Sequence, residues 1–172
     1  MALLPPSSSI AAAAPGPSIA AGIPAPAGWR REAPPGPIQG AGTYSVALPP
    51  ALETVPVEGI DSYVAEYRSS ALRLVFDFGA YGSSDMAACR RHPSSCSIGT
   101  MTVDRVPIGR VAYHVADPDG DLPYRITYTI PFRTRSGSAS PITLTIRAEC
   151  ATARAGALAD RVVRTIDILP DR

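Results

Sequence analysis

The sequence predicts an α+β domain in which an antiparallel sheet of about six or seven strands is packed by a single C-terminal amphipathic helix. Three observations carry that expectation. From residue 42 onward, apolar side chains recur at every second position, which gathers them on one face of a strand. Most of these strands set an apolar face against a polar one, as expected where one side of an antiparallel sheet meets solvent. Near residue 151 the period changes to three or four, the signature of a helix with one buried stripe. The N-terminal part belongs to a different regime, because the first 50 positions hold 11 of the 19 prolines and only three charged side chains, Arg30, Arg31 and Glu32. Ala, Pro, Gly and Ser offer little apolar area to offset a backbone ordering cost of about 1–2 kcal/mol per residue. Residues 1–41 are therefore expected as an Ala/Pro-rich leader and disordered linker, and residues 42–172 as one α+β domain.

Each element has its own justification. Tyr44, Val46 and Leu48 alternate with Thr43, Ser45 and Ala47, and Pro49-Pro50 stop this strand because neither can donate a ladder hydrogen bond. A second strand spans Ile60 to Tyr67. Leu72, Leu74, Phe76 and Phe78 make a wholly apolar face beside Arg73, Val75 and Asp77, which marks the candidate central strand. Residues 98–106 and 108–116 read as a hairpin reversing near Asp104-Arg105, with Met101 and Val103 against Val111, Tyr113 and Val115. Pro107 implies an edge or bulge on its flank. Ala116 to Asp121 is a turn, since Pro118 presets one dihedral, Gly120 accepts a positive one, and the Asp side chains cap nearby amides. Two further one-sided strands follow, carried by Tyr124, Ile126, Tyr128 and Ile130 and by Ile142, Leu144 and Ile146. Ala151, Ala155, Leu158, Val162 and Ile166 then share one helical stripe opposite Arg154, Asp160, Arg161 and Arg164, with Thr152 as N-cap. Leu158, Val162 and Ile166 are the expected anchors, at about 1.5–3 kcal/mol each when buried. Ile168-Leu169 leave room for a short last strand.

Composition excludes several classes of function. A formal net charge of +1 supplies no electrostatic surplus for a phosphate backbone, so nucleic acid is not an expected partner. No transmembrane segment is expected, because the most apolar stretch, residues 1–28, is broken by Pro5, Pro6, Pro15, Pro17, Pro24 and Pro26. All 16 basic residues are Arg, and the chain has neither Lys nor Asn, which removes Schiff-base and P-loop lysines and N-glycosylation. Ala25-Pro26-Ala27 and Ala12-Ala13-Ala14 resemble the small-residue cleavage site of a secretory leader, although a basic head is missing. A periplasmic or secreted location is the expectation, with a cytoplasmic protein bearing a plain disordered tail as the alternative.

Few residues form constellations with chemical meaning. Cys89, His92 and Cys96 lie in one loop, and Cys150 at a strand end could complete a Cys3His zinc site, but Arg90 and Arg91 would crowd a cation. A disulfide competes, and it requires an oxidising compartment. Chain entropy assigns about 2.5 kcal/mol to closing Cys89–Cys96 and about 4 kcal/mol to closing Cys96–Cys150. The local pairing is favoured, leaving Cys150 as a buried thiol. A catalytic cysteine with His92 or His114 as base lacks an orienting carboxylate nearby in sequence. Asp117, Asp119 and Asp121 begin like a calcium loop, yet Leu122 and Tyr128 occupy the places that need Gly and Glu. No metal and no cofactor is expected. His114 alternates with Arg110 and Ala112 on the side taken as outward, and no serine lies in a Gly-x-Ser-x-Gly frame. The remaining polar and aromatic residues at strand ends, Asp61, Tyr63, Tyr67, Asp77 and Tyr81, suggest the rim of a ligand or partner site, with turn capping and rim packing as the plainer reading.

The series G-I-D-S-Y-V-A-E-Y (residues 59–67), L-V-F-D-F-G-A-Y-G-S (74–83), T-V-D-R-V-P-I-G-R-V-A-Y (102–113) and L-T-I-R-A-E-C (144–150), followed by a closing helix, resembles a family of small, often exported domains similar in layout to the PsbP-like fold. The likeness runs in order over residues 42–169. It implies an antiparallel sheet flanked by helix in an α/β sandwich, used for binding or assembly. Two departures stand out: Arg105 replaces the Gly usual in that turn, and the loop 84–97 has its own Cys-Arg-Arg-His content. The resemblance carries no site residues into this chain. The functional expectation is a non-catalytic binding or envelope accessory domain for a protein or small ligand, with a small enzyme or zinc-binding protein using Cys89, His92 and Cys96 as the alternative.

Overall fold

Alternating apolar residues build the large sheet, and the Pro-bounded stretch before them joins a C-terminal strand in a second, smaller one. The computed structural model describes residues 24–34, 42–59, 61–80, 86–91, 93–114, 122–133 and 139–169. In chain order the elements are β1 (Arg30–Glu32), β2 (Thr43–Leu48), β3 (Glu53–Val55), β4 (Tyr63–Arg68), β5 (Leu72–Gly79), α1 (Met86–Arg91), a 3-10 turn (Pro93–Ser95), β6 (Cys96–Val103), β7 (Val106–His114), β8 (Tyr124–Arg133), β9 (Ala139–Cys150), α2 (Ala153–Val163) and β10 (Asp167–Leu169). The large sheet has seven strands in the order β3-β4-β5-β9-β8-β7-β6, and the small one has three in the order β1-β2-β10. Every pairing is antiparallel. The α+β class expected from the change of period is thus the class observed.

One face of the large sheet forms the core. Cross-strand registers place Leu72, Leu74, Phe76 and Phe78 beside Cys150, Ala148, Ile146 and Leu144, which in turn neighbour Tyr124, Ile126, Tyr128 and Ile130. Leu72 through Phe78 are buried at every second position, and β5 is an interior strand as its apolar face requires. Tyr44, Val46 and Leu48 of β2 are buried in the same core, and α2 packs on β9, β5, β8 and β2. Two unlike units, the small sheet and α2, therefore share the task of covering one face.

Local chemistry fixes the ends of these elements. Thr152 has extended backbone and its hydroxyl accepts from the Ala155 amide at 3.2 Å, which is the expected N-cap. The buried residues of α2 are Ala155, Gly156, Ala159, Val162 and Val163, while Leu158 is only partly buried against the core. Ala155, Val162 and Ile166 of the expected stripe are buried, whereas Ala151 and Leu158 are only partly so, because small residues at 155, 156 and 159 let the helix approach the sheet closely. Thr165, buried after the helix, donates to the Ala47 carbonyl and accepts from the Ala47 amide, tying α2 to β2. Arg30–Glu32, expected in the linker, instead form β1, because Arg30 donates to the Pro49 and Leu52 carbonyls and Arg31 donates to the Ser45 hydroxyl. Trp29 packs partly buried beside them, with the Arg161 guanidinium 5.4 Å from its ring centre. Residues 1–23, the turn Ala116–Asp121, His92 and Tyr81 lie outside the described residues.

The β6–β7 hairpin departs from the expected facing. Asp104 and Arg105 both adopt the left-handed region, with φ of 45° and 65°, so the reversal is a two-residue turn. That turn pairs Val103 with Val106 and Met101 with Ile108. Register has a period of two, and this pairing puts Ile108, Arg110, Ala112 and His114 on the core side while Val111 and Tyr113 take the other. The expected partnership of Met101 and Val103 with Val111 and Tyr113, and the side of the sheet expected for His114, are thereby corrected, while His114 is exposed as expected. The turn is anchored where it lies, since the Asp104 carboxylate accepts from the Ile168 amide of β10 at 3.0 Å. Pro107 sits in β7 where pairing with β8 has not begun, as that ladder starts at Gly109–Thr129, so its missing N–H leaves no ladder bond unmade.

Candidate functional site

On the core side of β7 and β8, beyond the part of the sheet covered by β2, lies a cleft of about 520 Å³. Its floor is Ala112 and Ile126, and its wall is the first two turns of α2, through Ala153, Gly156, Ala157 and Asp160. Small side chains make the room. A Cβ on Gly156 would lie 3.2 Å from Ile126 Cδ1, so Gly156 sets how close helix and strand come.

The polar groups sit at opposite ends of the cleft. At the inner end, Arg110 Nε donates to Asp160 Oδ1 at 2.8 Å and Arg110 Nη2 donates to Asp160 Oδ2 at 3.2 Å, a two-pronged pairing. The Tyr128 hydroxyl donates to the same Oδ1 at 2.7 Å. Burial works against the Arg110 charge, but its bonds to and attraction by Asp160 outweigh that and hold the guanidinium above its ordinary pKa. Burial first, and the Asp160 carboxylate second, push the Tyr128 hydroxyl far above the usual tyrosine range. The three groups hold one another in place at the inner end. At the outer end, the His114 and Tyr124 rings meet edge to face with centroids 4.9 Å apart, and both residues are exposed. Ser94, Ser95 and Ser97 form the rim toward β6. Apolar floor, two flat rings and a few fixed hydrogen-bonding groups suit an amphipathic guest.

Cys89 and Cys96 form a disulfide with Cα atoms 5.3 Å apart. Cys96 shares its face of β6 with Tyr113 and Ile98, so the bond fastens α1 to the side of the hairpin opposite the cleft. Pairing consumes both thiolates that the zinc and catalytic-thiolate readings require. Among the described residues, no group of three or more His, Cys, Asp or Glu side chains could hold a metal ion. Cys150 is a free, buried thiol, pushed up to about 11 by burial first and by Asp160 second. No described helix is long and apolar enough to cross a membrane.

The residues singled out in the sequence are distributed rather than gathered. Asp61 is exposed in the bend before β4. Tyr63 and Tyr67 share the core side of β4: Tyr63 is half-buried, and Tyr67 is buried with its ring edge-on to Phe76 at 5.6 Å. Burial, then the neighbouring Tyr63 and Glu32, push the Tyr67 hydroxyl up to about 12. Asp77 pairs with Val64 and so points to the other side of the sheet, and Tyr81 lies outside the described residues. Tyr63 and Tyr67 are thus brought together, within the wall of the core, and Asp77 is not with them.

Sequence reasoning missed Arg110, Asp160, Tyr128 and Gly156, and read His114 and Tyr124 without each other. The available signal was the parity of the hairpin. Counting a two-residue turn at Asp104-Arg105 sends Arg110 and His114 inward, and Asp160 stands four residues beyond Gly156 on the adjacent face of the helix. No family model, no curated protein and no solved structure matches this chain.

Proposed function

We propose that this protein is a non-catalytic binding domain that works outside the cytoplasm and takes a small amphipathic ligand or a short peptide side chain in the cleft between α2 and β7–β8. The observation that supports it most is the composition of that cleft: an apolar floor, an exposed ring pair at the mouth, and an inner charged pair already satisfied by itself. Such a site offers shape, flat contact and fixed hydrogen bonds, the ingredients of recognition. Catalysis would call for a group free to exchange a proton or attack, and here Asp160 is held by Arg110 and Tyr128. A location in an oxidising compartment, periplasmic or secreted, is supported by the Cys89–Cys96 disulfide. The likeness to small exported domains of PsbP-like layout agrees with a binding or accessory role.

The test is ligand-induced stabilisation across a mixture of small aromatic acids and amides, with wild type beside Ala153→Trp. Ala153 is exposed at the cleft wall, so the bulky ring fills the mouth without entering the core. Stabilisation of the wild type that is lost in A153W supports the assignment, and equal stabilisation of both removes it.

A further inference from the structure

The two edges of the large sheet are treated differently. At one edge, β3 has three residues, carries the exposed Glu53, and is bracketed by Pro49-Pro50 and Pro56. Shortness, charge and proline are the usual means by which a sheet edge is kept from pairing with another chain. At the other edge, β6 has eight residues, Cys-Ser-Ile-Gly-Thr-Met-Thr-Val, with no charge and no proline. Ser97, Ile98, Gly99, Thr100 and Thr102 are exposed, and Ile98 is 56% exposed. Among the described residues, no strand pairs with its far side.

The backbone itself defines what fits there. A two-residue turn closes on a hydrogen-bonded pair, here Val103–Val106, so bonded pairs recur at Met101–Ile108, Gly99–Arg110 and Ser97–Ala112. The N–H and C=O groups of Ile98, Thr100 and Thr102 therefore point away from β7, in the pattern that receives an antiparallel strand. From this contrast between the edges we propose that β6 pairs with β6 of a second copy of this chain, around a two-fold axis at Thr100.

A strand that meets its own copy across a two-fold axis sets residues near the axis against like residues, so a charge there would repel itself. Between Ser94 and Val103 this chain has none. Centring on Thr100 pairs exposed residues on the face away from the core: Thr100 opposes Thr100 of the second copy, and Ile98 opposes Thr102 of the second copy. Centring on Ile98 would draw in Cys96, which is half-buried and bonded to Cys89. The opposed threonines can exchange hydroxyl hydrogen bonds, and Ile98 gains a methyl neighbour. Because the axis stands perpendicular to the sheet, both α2 helices lie on one face of a continuous sheet, with the two clefts flanking the axis.

The experiment is sedimentation of the full chain over a concentration series, with wild type beside Thr100→Lys and Thr102→Lys, and with amide exchange read at β6. Both threonines are exposed, and circular dichroism verifies the fold of each variant. The expected result is a species of twice the chain mass, a dissociation constant raised more than about tenfold by T100K, which sets like charges directly opposite each other, and by a smaller factor by T102K, which sets a charge against Ile98 of the second copy, and slower exchange at Ile98, Thr100 and Thr102 as concentration rises. A monomer at every concentration overturns the proposal. So does a dimer that folded T100K leaves unchanged, and so does protection of the β6 amides that arises only when an uncharged extended peptide is added, which would assign the edge to a different partner.

Discussion

At the β3–β5 end of the large sheet, Tyr44 from β2 stacks on Phe76 with centroids 6.0 Å apart and meets Phe78 edge-on at 5.5 Å, while Tyr67 closes on Phe76 from the neighbouring strand. At the β6–β8 end, the same face of the same sheet carries Ala112, Ile126 and Arg110, and what stands over it is a cleft. The difference follows from residue size. Aromatic rings reach across to the small sheet and fill the gap, whereas alanine and glycine on β7 and α2 leave a cleft. The outer face adds to the contrast, since near β4 and β5 the Arg73 guanidinium donates to both Glu66 oxygens at 2.8 Å and to Glu149 at 3.0 Å. Those hydrogen bonds hold the Glu66 carboxyl below the usual carboxylate range. One end of the sheet is thus filled by rings and ion-paired on its outer face, and the other is open.

The largest expected effect is at the filled end. Phe76→Ala removes the ring that Tyr44 and Tyr67 both touch, and should cost about 3–5 kcal/mol in denaturant unfolding. A loss below about 1 kcal/mol would mean that the aromatic cluster does not carry the stability of that end.

Alkaline titration should show a smaller, graded loss from the same groups. Unfolded Tyr67 ionises at the ordinary tyrosine value of 10.0, whereas the folded protein keeps its proton up to about 12. Between those values the folded state binds more protons than the unfolded one, so stability falls as pH rises. Below 10 the contribution is fully present. Cys150 acts in the same direction from 9.0 to about 11. Unfolding measured across this range should lose part of its slope between pH 10 and 12 in Tyr67→Phe, and an unchanged slope would contradict the buried placement of the hydroxyl.

The smallest effect is at the tip of the open-end hairpin. Arg105 holds φ of 65°, a conformation that costs a side chain about 1–2 kcal/mol and costs glycine little. Arg105→Gly should therefore stabilise the chain by about 1 kcal/mol after the added entropy of the unfolded glycine is subtracted, and destabilisation would indicate a different turn.

The filled end was the more legible one. Leu72 to Phe78 and Ile142 to Ile146 alternate so regularly that strand, face and burial follow from the pattern alone, and Thr152 marks the start of α2. The α+β class could be read in the same way, and the Cys89–Cys96 pairing was the favoured one of several open to the three cysteines. The open end was harder to read because its side chains are small or polar, so hydrophobic alternation there is weak and both parities of β7 look plausible. Val111 and Tyr113 make the wrong face look apolar, and the partner that satisfies Arg110 on the core side, Asp160, lies fifty residues later. A charge satisfied across such a separation leaves no local mark. Arg30–Glu32 were hidden for a related reason: a three-residue strand held by arginine bonds to carbonyls has no periodicity to detect.

The most direct measurement of this division of labour is an amide-resolved NMR titration of the full chain with the ligand that most stabilises it. Binding at the open end predicts shifts concentrated at Ala112, His114, Tyr124, Ile126 and Gly156, with the β4–β5 amides unmoved. Shifts centred instead on Asp61, Tyr63 and Asp77 would place recognition at the filled end and contradict the account.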